Sequence, residues 1–408
     1  MTSVPIEAGP ASRSAGRKGH APLWLLAMIT LSGTLAMHIF VPALPLAARD
    51  LGASAAATQL TLSFYIFGLA LGQLVYGPLS DHFGRRPVLI VGMVVYALAS
   101  IASLLAPTIG TLVAARLLQA LGGCSGLVLG RAIVRDRAAG AEAARNLSLM
   151  NLMVMAGPGL APLLGSLLSA AFGWRSIFAA LSLLGAANLA LIWRLLPETT
   201  GCKDHDMRNV LRSYRHLLTS RGFLGFAIGG GCATTSLYAF IGAAPFIFVD
   251  ELHRPIHEVG LYLAFNMGGV WLGSLTASRL VGRVPTGRLM VTGNLMSCAA
   301  ALVLFLFVVA GWLNVPSIVI PMVLFCWGAG IASPTALSEA LGINPLIAGS
   351  ASGLYGFLQM VIGAACTALG GMGSNPAFSA ATVLLVAGLI SQLSFWMAQR
   401  AVRPTCRA

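Results

Sequence analysis

By side-chain type, the residue best suited to chemistry in this chain is a histidine. His38 sits in "TLAMHIFVPALP" (34–45), flanked by Leu35, Ala36, Met37, Ile39, Phe40 and Val41, with almost nothing polar beside it. An imidazole, with an unperturbed pKa of about 6.5, takes up and releases protons in the physiological range. Arg116 is the second such residue, because a guanidinium inside an apolar run is expensive and marks a functional position. Acids offer little competition. Asp50, Asp81, Asp136, Asp250, Glu251, Glu258 and Glu339 all fall near the ends of apolar runs or in loops. Proton uptake within the apolar segments therefore reduces to His38, with Glu339 and Asp50 as peripheral candidates. Two other uses of the imidazole stay open: a structural hydrogen bond to a Ser, Gln or backbone carbonyl, and contact with a bound molecule without titration.

The elements that must position these residues follow from composition. Of 408 residues, 57% are hydrophobic and 9% charged, against about 25% charged in soluble proteins. Apolar runs of about 20 residues recur, the length that crosses a hydrocarbon core. Lipid cannot satisfy open backbone groups, so the runs must be helices. Twelve spans are read, at 22–46, 58–80, 87–106, 110–131, 146–170, 174–195, 222–248, 257–280, 288–310, 315–337, 348–371 and 377–399. The 47 glycines suit close helix contacts in lipid. The seven cysteines lack CxxC spacing and read as core thiols, with neither a metal site nor a disulfide frame. Residues 1–21 read as a polar tail without a cleavable signal.

The formal net charge of +13 could suggest nucleic acid, but the basic residues sort by membrane side. With both termini on one face, twenty-one Lys and Arg fall there, and only Arg49, Arg175 and Arg254 fall opposite. The positive-inside rule makes the basic face cytoplasmic. The polar stretch 197–221 reads as a linker with a surface amphipathic helix. It divides a first six-span bundle (22–196) from a second (222–400), with a short tail at 401–408. The two halves repeat. Placing 68–92 over 269–293 aligns Gly68/Gly269, Leu71/Leu272, Gly72/Gly273, Leu74/Leu275, Leu79/Leu280 and Gly92/Gly293. Two like halves around a linker are a secondary-transporter plan, with the substrate at mid-membrane.

Three stretches carry a family resemblance. "GPLSDHFGRRPVLIVG" (77–92) closely resembles the signature between the second and third helices of the major facilitator superfamily, with Gly77, Asp81, Gly84, Arg85 and Arg86 at its positions. The resemblance implies a cytoplasmic gate in which an acid on a neighbouring helix, here Asp136, pairs with the arginines; Gly77 is read as a point of close helix approach. In the second half Gly282 stands where Asp81 stands in the first. "RLLQALGGCSGLVLGRAIVRD" (116–136) resembles the motif whose Arg is linked to proton coupling, unless Arg116 snorkels to the outer interface. "NLMVMAGPGLAPLLGSLL" (151–168) resembles the antiporter signature of drug exporters, with Ser166 where a second Gly is common. There Pro158 and Pro162 should bend the helix, and Gly157, Gly159 and Gly165 should permit tight contact.

The chain as a whole is similar to the bicyclomycin/chloramphenicol-resistance branch of the drug:proton antiporters. That branch places an acid in the first span where this chain has His38. The resemblance implies an all-α polytopic fold of twelve transmembrane helices in two pseudo-symmetric six-helix bundles. It also implies a monomer of the bacterial inner membrane that exchanges protons for small amphiphiles. A proton gradient would drive the exchange, with no cofactor, no metal and no nucleic-acid partner. The cavity candidates are Tyr65, Gln119, Asn151, Met155, Tyr238, Phe246, Asn266, Tyr355 and Gln359. With no acid inside, neutral or weakly anionic amphiphiles fit better than bulky cations. Import or export of a normal metabolite on the same fold is the near alternative. A remote one is an intramembrane serine protease built on "GCSG" (123–126), whose Ser125 would need a histidine within reach. No HExxH, P-loop or dinucleotide fingerprint is present, which argues against an ATP-driven pump.

Overall fold

A computed structural model describes residues 22–137, 140–197, 207–344, 347–373 and 375–402. Among the described residues the chain is helical throughout, apart from turns and one isolated bridge between Val281 and Val284. The helices group into twelve spans. Span 1 is Leu23–Asp50, span 2 Ala55–Phe83, span 3 Arg85–Leu104, span 4 Ile109–Arg137, span 5 Gly140–Phe172 and span 6 Arg175–Leu195. A separate helix, Met207–Thr219, precedes the second set. Span 7 is Arg221–Glu251, span 8 Ile256–Leu280, span 9 Thr286–Val309, span 10 Val315–Gly342, span 11 Ala348–Gly371 and span 12 Pro376–Val402. Ten of these stretches are long and apolar enough to cross a bilayer. Span 5 concentrates its apolar run in Gly157–Phe172. Span 8, at 25 residues, carries its charges, Glu258 and Arg279, near its two ends.

Several helices outrun the apolar stretches that mark them in sequence. Span 2 continues to Phe83 and span 4 to Arg137 on the basic face. There water and charged side chains can satisfy a helix end without lipid-grade hydropathy. The connection between spans 2 and 3 is a single residue, Gly84, at φ +92°.

Among the described residues, the helical spans are interrupted only in the first span of each half. Span 1 breaks into a 3-10 turn at Val41–Ala43, where Pro42 lacks the N–H that a continuous helix needs. Span 7 is interrupted at Ser236 and ends in a π turn, Ile247–Glu251. Span 5, in contrast, stays helical through Pro158 and Pro162. Broken backbone at membrane depth is tolerated where protein buries it, and Phe40, Val41, Phe246 and Phe248 are all buried.

The aligned glycines make equivalent contacts in both halves. A Cβ on Gly68 would lie 2.8 Å from Ala120 of span 4, and one on Gly269 2.6 Å from the Val323 carbonyl of span 10. Gly72 faces Cys124 of span 4, and Gly273 faces Trp327 and Gly330 of span 10. Gly92 packs on Ser125, and Gly293 on Gly328 and Ile331. In each bundle, then, the second and third spans close on the fourth through the same three positions. Such contacts drive association where lipid supplies no hydrophobic force.

Candidate functional site

His38 lies on the inner side of span 1, 5% exposed. Its Nδ1 is 2.8 Å from the backbone carbonyl of Thr34. A carbonyl only accepts, so Nδ1 carries the hydrogen, and the neutral ring's lone pair is on Nε2. Nε2 makes no hydrogen bond among the described residues. The imidazole borders a small cavity with Val41 of span 1, Pro158 and Pro162 of span 5, Ile241 of span 7, and Leu263 and Met267 of span 8. Both bundles therefore contribute walls. The Tyr238 ring of span 7 sits 6.3 Å from the imidazole, centre to centre.

Pro158 and Pro162, both inside the continuous helix of span 5, present short, rigid walls to this cavity. Gly157 lets span 5 approach Leu31, and Gly165 lets it approach the Ile39 carbonyl, both in span 1. Gly159 faces Trp271 of span 8. Ser166 packs on Gly260 of span 8, whose missing side chain leaves room for the serine.

Arg116 is fully buried within the first bundle. It does not snorkel. One Nη donates to Gln119 Oε1 at 2.5 Å, Gln119 Nε2 donates to Ser100 Oγ at 2.7 Å, and Ser100 Oγ donates to the Tyr96 carbonyl at 2.7 Å. The guanidinium lies 4.0 Å from the centre of the Tyr65 ring, 5.5 Å from Phe40 and 5.8 Å from Phe178. Ring faces of this kind favour a nearby cation. No acid pairs with it among the described residues, and Nε and the second Nη have no hydrogen-bond partner.

Several residues expected in the cavity lie elsewhere. Tyr65 and Gln119 are wholly enclosed in the first bundle: Tyr65 donates to the Gly33 carbonyl at 2.7 Å, and Gln119 is held by Arg116. The Gln119 amide and the Tyr65 ring face serve the buried cation, and neither residue is among those bordering the cavity beside His38. Phe246 packs in the buried segment near the Glu251 end of span 7. Asn266 and Tyr355 are buried, with Asn266 Oδ1 and the Tyr355 hydroxyl unpartnered. Gln359 donates to Thr234 Oγ1 at 2.7 Å, tying span 11 to span 7. The side chains of Asn151 and Met155 lie outside the described residues.

On the basic face, Arg85 joins Asp81 at 2.6 Å and Asp136 of span 4 at 3.0 Å, and it also donates to Ser80. Arg86 donates to the Trp193 carbonyl of span 6 at 2.9 Å. Spans 2, 3, 4 and 6 are thereby laced together. Gly77 has open space where a Cβ would be, so the close approach read there belongs instead to Gly72 against Cys124. Gly84 places Arg85 at the first helical residue of span 3.

The opposite face joins the two bundles. Arg49, ending span 1, pairs with Asp250, ending span 7, at 2.6 Å. Gln59 of span 2 is buried against Gly242 and Gly371 of the second bundle. Sequence reasoning missed this contact, although Gln59 is an amide at the start of an apolar run. It also missed the bond from Asn188 Nδ2 to Ser32 Oγ at 2.7 Å. Ser125 donates to the Gly122 carbonyl at 2.7 Å and packs under Gly92, a helix contact rather than a nucleophile's setting.

Comparison with known proteins agrees with this architecture. The family model described as Major Facilitator Superfamily matches residues 26–367. An uncharacterized MFS-type transporter, YdgK of Bacillus subtilis (strain 168), is 30% identical over 387 residues, 93% of this chain and 96% of the relative. Multidrug resistance protein D of Escherichia coli (strain K12) is 31% identical over 342 residues, 83% and 85% of the two chains. The crystal structure of a D-xylose-proton symporter superposes with a TM-score of 0.73 over 90% of this chain and 96% of its own, at 14% identity, a likeness of fold. Spans, repeated glycine contacts, the Asp81–Arg85–Asp136 cluster and a family match over most of its length agree: the chain is a multi-pass membrane protein of the major facilitator superfamily.

Proposed function

We propose that this chain is a proton-driven exporter of small amphiphilic compounds, and that its bundles, 22–196 and 222–400, rock about the cavity beside His38. The observation that carries the reading is His38 itself, a titratable group with a free ring nitrogen, bordered by spans of both bundles. A group so placed can be turned to either side of the membrane as the bundles move. In this reading the basic face is cytoplasmic, both termini lie there, and the membrane is a bacterial inner membrane. The Arg49–Asp250 pair then belongs to the outer gate and the Asp81–Arg85–Asp136 cluster to the inner gate. Similarity to a multidrug resistance protein supports efflux. Arg116 contributes by fixing the positive field of the first bundle, and the proton gradient replaces any cofactor.

The test uses purified full-length protein in proteoliposomes with an imposed pH gradient. Wild type should move chloramphenicol, an uncharged probe, against its gradient while dissipating the proton gradient. His38→Ala should retain facilitated movement and lose the coupling. Undiminished proton-driven transport by His38→Ala would remove His38 from the mechanism.

A further inference from the structure

We propose that the helix Met207–Thr219, with the start of span 7 and the end of span 12, forms a docking surface for anionic phospholipid headgroups on the basic face of the second bundle. The inference rests on where this helix lies and is independent of what the chain transports.

Residues 207–221 hold four arginines, Arg208, Arg212, Arg215 and Arg221, and no acid. The helix presents three sectors. One is seated on the bundle: Leu217 is buried in one apolar cluster with Phe223 of span 7 and Leu354 of span 11. In the same sector the Tyr214 hydroxyl lies over Gly353 of span 11, 3.7 Å from where a Cβ would be. The opposite sector carries Arg212, Arg215 and His216, all exposed. On the flank between them Leu218 is 46% exposed and follows Arg215 on the helix surface. An apolar flank beside a row of arginines is the pattern of a helix lying between acyl chains and headgroups.

Trp396 of span 12 marks the depth of that boundary, because tryptophans concentrate at headgroup level. Its side chain is half exposed, and the Arg400 guanidinium lies 3.6 Å from the centre of its ring. A Cβ on Gly222 would be 2.8 Å from Val402, and one on Gly225 2.7 Å from Ala398. Span 7 therefore starts beside the end of span 12 that carries Arg400, and Arg221 is exposed there at the first helical residue.

These arginines differ from those between spans 2 and 3. There Arg85 is held by Asp81 and Asp136, and Arg86 by the Trp193 carbonyl. Among the described residues no acid pairs with Arg212, Arg215, Arg221 or Arg400. Their charge is open to a partner from outside the fold, and a guanidinium fork matches the oxygens of a phosphate. Each basic residue at an anionic membrane surface strengthens binding about fivefold.

Native mass spectrometry of the detergent-purified full chain tests this by titrating dioleoyl-phosphatidylglycerol against dioleoyl-phosphatidylcholine. Wild type should bind the first phosphatidylglycerol at least about tenfold more tightly. Arg212→Gln/Arg215→Gln/Arg221→Gln should reduce that preference to within about twofold, whereas the same three positions changed to Lys should stay within about threefold of wild type. A control removes as many exposed arginines from the region of the turn between spans 8 and 9. This variant, Arg279→Gln/Arg283→Gln/Arg288→Gln, should bind as wild type does to within about twofold. Excess inorganic phosphate should not displace the lipid. Equal binding of the two lipids, a preference that survives the Gln triple, loss in the Lys triple, an equal loss in the control, or displacement by phosphate would each overturn the proposal.

Discussion

The turn between spans 2 and 3 and its counterpart between spans 8 and 9 begin from aligned sequence and end as different devices. In the first half, Gly84 alone joins the helices, and Arg85 bridges Asp81 and Asp136. In the second, the aligned position of Asp81 is Gly282 and that of Arg85 is Thr286, whose hydroxyl donates to Glu339 of span 10. A network of formal charges on one side corresponds to a single charge-assisted hydrogen bond on the other. The deeper layers differ in the same sense. Span 4 buries Arg116 with its Gln119–Ser100 chain, whereas span 10 fills its interior with Met322, Phe325 and Cys326. The small-residue contacts that assemble each bundle are shared. Among the described residues, the buried cation and the ion-paired turn both lie in the first half, and their counterparts in the second are neutral or singly charged contacts.

Replacing Arg116 breaks this contrast most sharply. A buried cation without an acid, and with two nitrogens unpartnered, is a standing cost to the fold. Arg116→Met removes it without orphaning an opposite charge, leaving only Gln119 to find a new partner. The variant should melt at a higher temperature, corresponding to about 1–3 kcal/mol, yet lose proton-driven transport. Scanning calorimetry and proteoliposome flux read the two effects separately. A destabilised variant that still couples would mean that the guanidinium holds the bundle together rather than serving transport.

The paired turns come next. The groups of the Arg85 cluster are part-exposed, so its contribution to global stability is small. Its loss should appear instead in the balance between gate-closed and gate-open states, where about 1.4 kcal/mol is tenfold. Arg85→Ala should slow transport about tenfold with little change in melting, and Thr286→Ala should slow it less than about twofold. Equal effects from the two would erase the asymmetry.

Much of this was legible in sequence, and what was not has physical causes. The helical spans followed from apolar length, because lipid permits few alternatives. The Asp81–Arg85–Asp136 cluster followed from spacing, since Asp81 and Arg85 are four residues apart across the Gly84 turn and Asp136 lies at the end of a neighbouring span. The cavity was harder. Tyr65 and Gln119 are polar residues at plausible depth, but depth does not reveal azimuth. Nearly every face of these helices is apolar, so hydropathy cannot separate the face toward lipid, bundle or cavity. Gly77 failed for a related reason: a glycine in a span records an opportunity for contact, and here Gly72, five residues earlier, takes it.

The smallest effect probes why the second turn could drift. Leu280–Arg283 is a type II turn: Val281 has φ −58° and ψ 130°, Gly282 has φ +90°, and the Arg283 N–H donates to the Leu280 carbonyl at 3.0 Å. That geometry accepts Asn at its third residue. No neighbour stands within 4 Å of a Cβ on Gly282, so only the backbone preference is at stake. Gly282→Asn should therefore cost no more than about 0.5 kcal/mol and leave transport unchanged. Gly84, at φ +92° and ψ 154°, occupies a region essentially reserved for glycine, directly before the arginine that bridges Asp81 and Asp136. The same Asn placed at Gly84 should displace Arg85 from Asp136 and slow transport. If Gly282→Asn proved as damaging as Gly84→Asn, the second turn would be under the same constraint as the first, and the two halves would share a gate after all.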